Sequence, residues 1–109
     1  MDVIRLVRGD EKPVILITLT DDISGQPLDL SVATTEVSVK FKQSGADVVS
    51  STIVCQKLGG GTAGQVQFDF TGGVLDVDPG MYEGEIVVNY NGIVETVYET
   101  IRFRVRDNF

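Results

Sequence analysis

Carboxylates are the most numerous groups in this chain that could hold a metal or move a proton. Asp76-x-Asp78-x-Gly80 has the opening spacing of a calcium loop. Calcium takes about six to eight oxygen ligands, and the position that would bring a bidentate glutamate is Val87, with Pro79 stiffening the run. A solvated turn is the better reading, although Asp21, Asp22 and Asp29 leave room for a weak ion between loops. Glu83 and Glu85 sit two apart, as alternation on a wet strand face requires, and nothing marks either for the raised pKa of a general acid. With no histidine in the chain, the commonest general base and metal ligand is missing, and the single cysteine, Cys55, has no imidazole to activate it. Cys55 is expected to be a buried thiol within a strand. Gly59-Gly60-Gly61 lacks the Lys-Ser/Thr and the following helix of a phosphate cradle. Arg8-Gly9-Asp10 spells an adhesive tripeptide, but a strand ending in Gly-Asp accounts for it equally well. These residues predict no catalysis, no metal and no cofactor.

The arginines are the exception. Lys and Arg number 9 against 16 Asp and Glu, a net charge of −7, which disfavours binding to a nucleic-acid backbone. The charge is unevenly placed. Residues 1–8 carry Arg5 and Arg8 against Asp2 (+1), and residues 102–109 carry Arg102, Arg104 and Arg106 against Asp107 (+2), which leaves −10 for the middle. If the first strand runs beside the last, Arg5 or Arg8 forms a positive strip with Arg102, Arg104 and Arg106 on a negative body. Such a strip suits an acidic protein neighbour, because arginine favours interface ion pairs. The competing reading is that these arginines pair with Glu83 or Glu85 of their own domain.

The elements that would carry this strip are strands. The 109 residues suffice for one domain, 1–109, and no apolar run approaches the roughly 20 residues of a membrane helix. Met1-Asp2 opens no basic-then-apolar leader, and one cysteine makes no internal disulfide. Val3–Arg8 is a plausible first strand. In Val14–Thr20 both faces are partly apolar, which predicts a well-covered strand rather than an exposed edge. Thr35–Lys42 alternates, with Val37, Val39 and Phe41 inward, and Val48–Leu58 is its return strand. Gln65–Phe70 places Val66, Phe68 and Phe70 inward. Asp78-Pro79-Gly80 is a turn opening the strand Met81–Tyr90, and Asn91-Gly92 is the strongest signal for a two-residue hairpin. In the closing segment, Ile93–Val105, Glu95 and Glu99 fall on the face of Ile101. That conflict predicts either a bulge between Thr96 and Thr100 or a strand end protruding past the core. No stretch keeps helical period. Seven or eight short strands make an all-β, antiparallel β-sandwich, with a barrel as the alternative. Gly80-Met81-Tyr82 resembles the corner tyrosine of immunoglobulin-like domains.

Ile4-Arg5-Leu6-Val7-Arg8-Gly9-Asp10, Pro13, Leu19-Thr20-Asp21, Gly25-Gln26-Pro27-Leu28-Asp29-Leu30-Ser31, Asp78-Pro79-Gly80-Met81-Tyr82-Glu83-Gly84, Thr96-Val97-Tyr98 and Phe103-Arg104-Val105-Arg106 extend over the whole chain. On these stretches it resembles small immunoglobulin-like virion proteins of tailed bacteriophages, related to the N-terminal domain of the phage baseplate upper protein. The resemblance implies an immunoglobulin-like β-sandwich without enzymatic activity, assembled in the host cytoplasm into the virion. Its implied partners are other virion proteins (major capsid, tail or baseplate subunits), with a homo-oligomer possible and neither nucleic acid nor membrane bound. The sequence ends at Phe109, three residues past the last strand, so an accessory subunit is expected (capsid decoration or cement, or a tail or baseplate adaptor) rather than an anchor for a receptor-binding module. The alternative is a host-surface glycan module, for which Tyr98 is the one outward aromatic candidate.

Overall fold

The computed structural model describes residues 3–21 and 23–109, and the side chains of all of these but 98 and 99; Tyr98 as a glycan platform lies outside the described residues. Among the described residues there are eight strands: β1 (Ile4–Val7), β2 (Ile15–Thr18), β3 (Thr35–Gln43), β4 (Ser51–Val54), β5 (Gln56–Lys57), β6 (Gln65–Phe68), β7 (Gly80–Tyr90) and β8 (Ile93–Arg106). They form a sandwich of two sheets, one ordered β1-β8-β7-β3-β4 and the other β2-β6-β5. The pairing is antiparallel except between β1 and β8, which run parallel, so the larger sheet is mixed rather than purely antiparallel. A chain whose first strand leaves by a crossing to the opposite sheet is free to lay that strand parallel to the last one.

The inward positions expected from alternation are buried. Val37, Val39 and Phe41 of β3, Val66 and Phe68 of β6, and Ile101, Phe103 and Val105 of β8 are each at most 3% exposed. Phe41 ties the layers together. It stacks on Tyr82 with ring centres 5.0 Å apart and meets Phe103 at 5.4 Å and Phe70 at 6.2 Å edge-on, the last from the far side of the core. Gly84 stands between these rings for a steric reason: a Cβ there would lie 2.9 Å from Val39 Cγ1 and 3.0 Å from Phe103 Cε2. The Tyr82 hydroxyl donates to the Asp78 carbonyl at 2.7 Å, the expected corner-tyrosine bond, closing the turn that starts β7. Burial, and next the Asp78 carboxylate, push the Tyr82 phenol above its usual pKa, so it stays the neutral donor this bond needs.

Three features differ from the sequence reading or sharpen it. The return strand Val48–Leu58 is two strands, β4 and β5, in different sheets, with only Cys55 between them. Ile53 and Cys55 both stay inward across the switch, so alternation continues and hides the break. The Glu95 conflict is met by both devices at once. Pairing jumps from Glu85–Thr100 to Val87–Thr96, so residues 97–99 of β8 oppose Ile86 alone, which places the bulge between Thr96 and Thr100. A shift of two residues leaves the faces unchanged, however, and Glu95 remains opposite the buried Val88. It reaches water because the hairpin end protrudes: Glu95, Ile93 and Val94 are all exposed. The turn at that end has Asn91 at φ 54° and Gly92 at φ 100°, as a type I′ hairpin requires. Finally, β2 is an edge strand, with Leu16 67% exposed and Val14 55% exposed, and not the covered strand its composition suggested.

Candidate functional site

The chemical candidates resolve into structural roles. Gly9 N–H donates to the Leu75 carbonyl and Asp10 N–H to that of Val7, so Arg8-Gly9-Asp10 is the turn that ends β1 and pins it to the Gly72–Val77 loop. Asp76 faces Arg8, and Asp78 supplies its carbonyl to Tyr82. Among the described residues no three His, Cys, Asp or Glu side chains cluster as a metal site. Asp21 is held below the usual carboxylate range by the backbone N–H groups of Ser24 and Ile23, and Asp29 likewise by the Ser31 hydroxyl and N–H. Both carboxylates therefore organise their own turns. Gly61 packs against the Leu30 backbone, where a Cβ would lie 2.8 Å from the carbonyl carbon, so the glycine loop serves packing.

Cys55 is 8% exposed, and burial pushes its thiol up to about 12. A thiol in that state is a poor nucleophile at neutral pH. Its labelling by a maleimide or an aromatic disulfide at pH 8 should be at least 100-fold slower than that of the denatured chain. A rate equal to that of the unfolded chain would contradict its burial.

The arginines are brought together by the β1–β8 pairing. Arg5 lies beside Arg104, and Val7 beside Arg106, on the outer face of the larger sheet. Arg102 and Arg104 alternate with the buried Ile101, Phe103 and Val105 and are exposed on that same face. Their cross-strand neighbours on β7 differ. Arg102 is opposite Glu83, which is itself opposite Lys42, so that row alternates in sign. Arg104 is opposite Met81. Arg5, Arg104 and Arg106 therefore surround apolar Val7 and Met81 and have no cross-strand carboxylate in register. A shallow cavity of about 210 Å³ lies here, lined by Arg5, Leu6, Val7, Arg104 and Arg106. Arg106 also donates to the Asp107 carbonyl at 2.8 Å and lies 4.9 Å over the Phe109 ring.

Arg8 is placed elsewhere. It follows β1 on the inward parity, and its guanidinium lies 3.9 Å from the Asp76 carboxylate, the one ion pair among the described residues. The structure thus brings together Arg5, Arg102, Arg104 and Arg106 and leaves Arg8 at the turn. Sequence reasoning missed Val7 and Met81. Their only signal is register, since each looks like an ordinary strand residue until its neighbours are known.

The fold is similar to the N-terminal domain of phage TP901-1 ORF48, with a TM-score of 0.64 and 14% sequence identity over 95% of this chain and 84% of that one. The resemblance drawn from the turns and core positions, to the N-terminal domain of a phage baseplate protein, is met in the fold. No protein-family model and no curated protein matches the chain.

Proposed function

We propose that this chain is a non-enzymatic structural component of a phage virion. On this reading it is a small accessory subunit that docks on other virion proteins, through the arginine face of β1 and β8. The observation that carries the reading is the fold likeness to a phage baseplate domain along nearly the whole chain. The arginine face supplies the means. It combines exposed guanidinium groups with apolar Val7 and Met81, the mixture found at protein interfaces, on a body whose remaining charge is negative. Acidic copies repel one another in solution, so docking waits for a partner surface of the right sign. The immunoglobulin-like character of the sandwich is part of this reading, supported by the corner tyrosine and by the division of strands between the sheets. The same surface serves either a capsid site or a tail or baseplate site.

The test is made on purified particles. The chain should stay on the particles in fixed stoichiometry through a mild salt wash, because ion pairs buried at a docked surface are screened much less than exposed ones. The isolated domain should show no affinity for host cells. Binding to cells, with the chain absent from particles, would replace this reading by the glycan-module one.

A further inference from the structure

The smaller sheet is unfinished on one side. Only Cys55 separates β4 from β5, so those edges of the two sheets lie together, and β1 and β2 are the edges on the other side. Five strands exceed three by two strand spacings, about 10 Å, and this excess width overhangs β2. Under the overhang the cover is partial: Leu6, Phe103 and Val105 are at most 4% exposed, with the buried Leu75 held beside the end of β1, whereas Ile4, Ile15, Ile17 and Val97 pack on the core yet remain half-buried.

Backbone pairing identifies the vacant groups. In an antiparallel ladder successive residues turn their N–H and C=O alternately to one neighbour and the other. Leu19 N–H donates to Gly64, in register with the β2–β6 pairs, so Ile15 and Ile17 face β6. The N–H and C=O of Leu16 and Thr18 then point to the free edge. Among the described residues no strand lies beyond them. Residues 13–20 contain no charge to guard this edge, and no bulge interrupts its pairing with β6. Of the other edges, β1 carries Arg5 and β5 is only two residues long; β4 is uncharged like β2, but its inward Ile53 and the adjoining Cys55 are already buried.

We infer that the free edge of β2 accepts an extended strand from a partner protein, with alternate apolar side chains inward and basic residues at its ends. Its backbone would bond to Leu16 and Thr18, and its inward side chains would cover Ile4, Ile15 and Ile17 under the overhang. The basic ends follow from the charges at the ends of β2. Beyond Thr18 the gap opens into a cleft of about 330 Å³ whose rim carries Asp21 and Glu95, with Leu28 and Val97 on its wall. The other end is bounded by Asp10 and Glu11 against Lys12. A second copy is the poorer occupant. Antiparallel pairing of β2 with its twin sets Glu11 of each copy toward Asp21 of the other, between bodies of −7 each. This inference is independent of the arginine face, and either can fail alone.

The experiment is amide hydrogen exchange by NMR on the full chain, with a synthetic probe peptide of alternating valine and threonine flanked by two lysines at each end. In the free protein the Leu16 and Thr18 amides should exchange fast and those of Ile15 and Ile17 slowly. The peptide should slow Leu16 and Thr18 at least tenfold. Asp21→Asn with Glu95→Gln should weaken peptide binding about tenfold, as should replacing the peptide's lysines by glutamate. Leu16→Pro, which removes an outward N–H and leaves the bonds to β6, should abolish the protection. Leu16 and Thr18 amides already protected in dilute protein, or unmoved by millimolar peptide, would overturn the inference. Protection that grows with protein concentration alone would overturn it in favour of a second copy.

Discussion

Changing Arg5, Arg104 and Arg106 together to glutamine is expected to remove the chain from its particles while leaving its thermal unfolding almost unchanged. The three guanidinium groups are exposed and lie opposite no carboxylate in register, so the isolated domain loses little with them. Exposed substitutions of this kind stay within about 0.5 kcal/mol each. Docked against an acidic partner the same groups lose water, and truncating one member of a buried interface pair costs about 2–5 kcal/mol. Three such losses weaken association by roughly 10⁴-fold or more, even at the lower bound. Arg102→Gln is the informative control. It faces Glu83 within its own sheet and should weaken docking least. Co-sedimentation with particles, read beside a thermal melt, decides the matter. An equal fall in both would mean that these arginines hold the domain together, and the docking role would be lost.

Phe41→Ala is expected to have the largest effect on stability. Phe41 is fully buried and touches rings from both layers: Tyr82 and Phe103 in its own sheet, and Phe70 across the core. Removing a buried phenylalanine side chain costs about 3–5 kcal/mol, against a total of about 5–15 kcal/mol for a domain. The melting temperature should fall by on the order of 15 °C. Phe41→Leu, which refills most of the space, should cost clearly less. A drop of only a few degrees for the alanine variant would show that the two sheets do not rely on this ring to join them.

Both expectations start from features legible in the chain itself. Strict alternation in 35–42, 65–70 and 101–106 identified the buried face of β3, β6 and β8, because a strand wet on one side must place every second residue in the core. Asn91-Gly92 announced its hairpin, since few residues tolerate two successive positive φ angles. The site was half legible. The outward arginines of β8 follow from the same alternation, but their union with Arg5 depends on a pairing between residues about 100 positions apart. Whether Arg5 or Arg8 joins them stayed open in the sequence; the pleat sets Arg5 outward beside Arg104 and turns Arg8 to the other face, toward Asp76.

What the residues determined alone was local: which segments are extended, where they turn and which side chains go inward. Which strand neighbours which, and therefore which strand is left without a neighbour, was decided by tertiary structure. Period two is the same at the centre of a sheet and at its edge, so Val14–Thr20 read as covered although β2 has one open side. The same blindness hid the sheet switch at Cys55 and the parallel course of β1 along β8. Backbone hydrogen bonds between distant segments carry no side-chain signature, so edges, crossings and strand direction emerge only when the two layers close on a shared core.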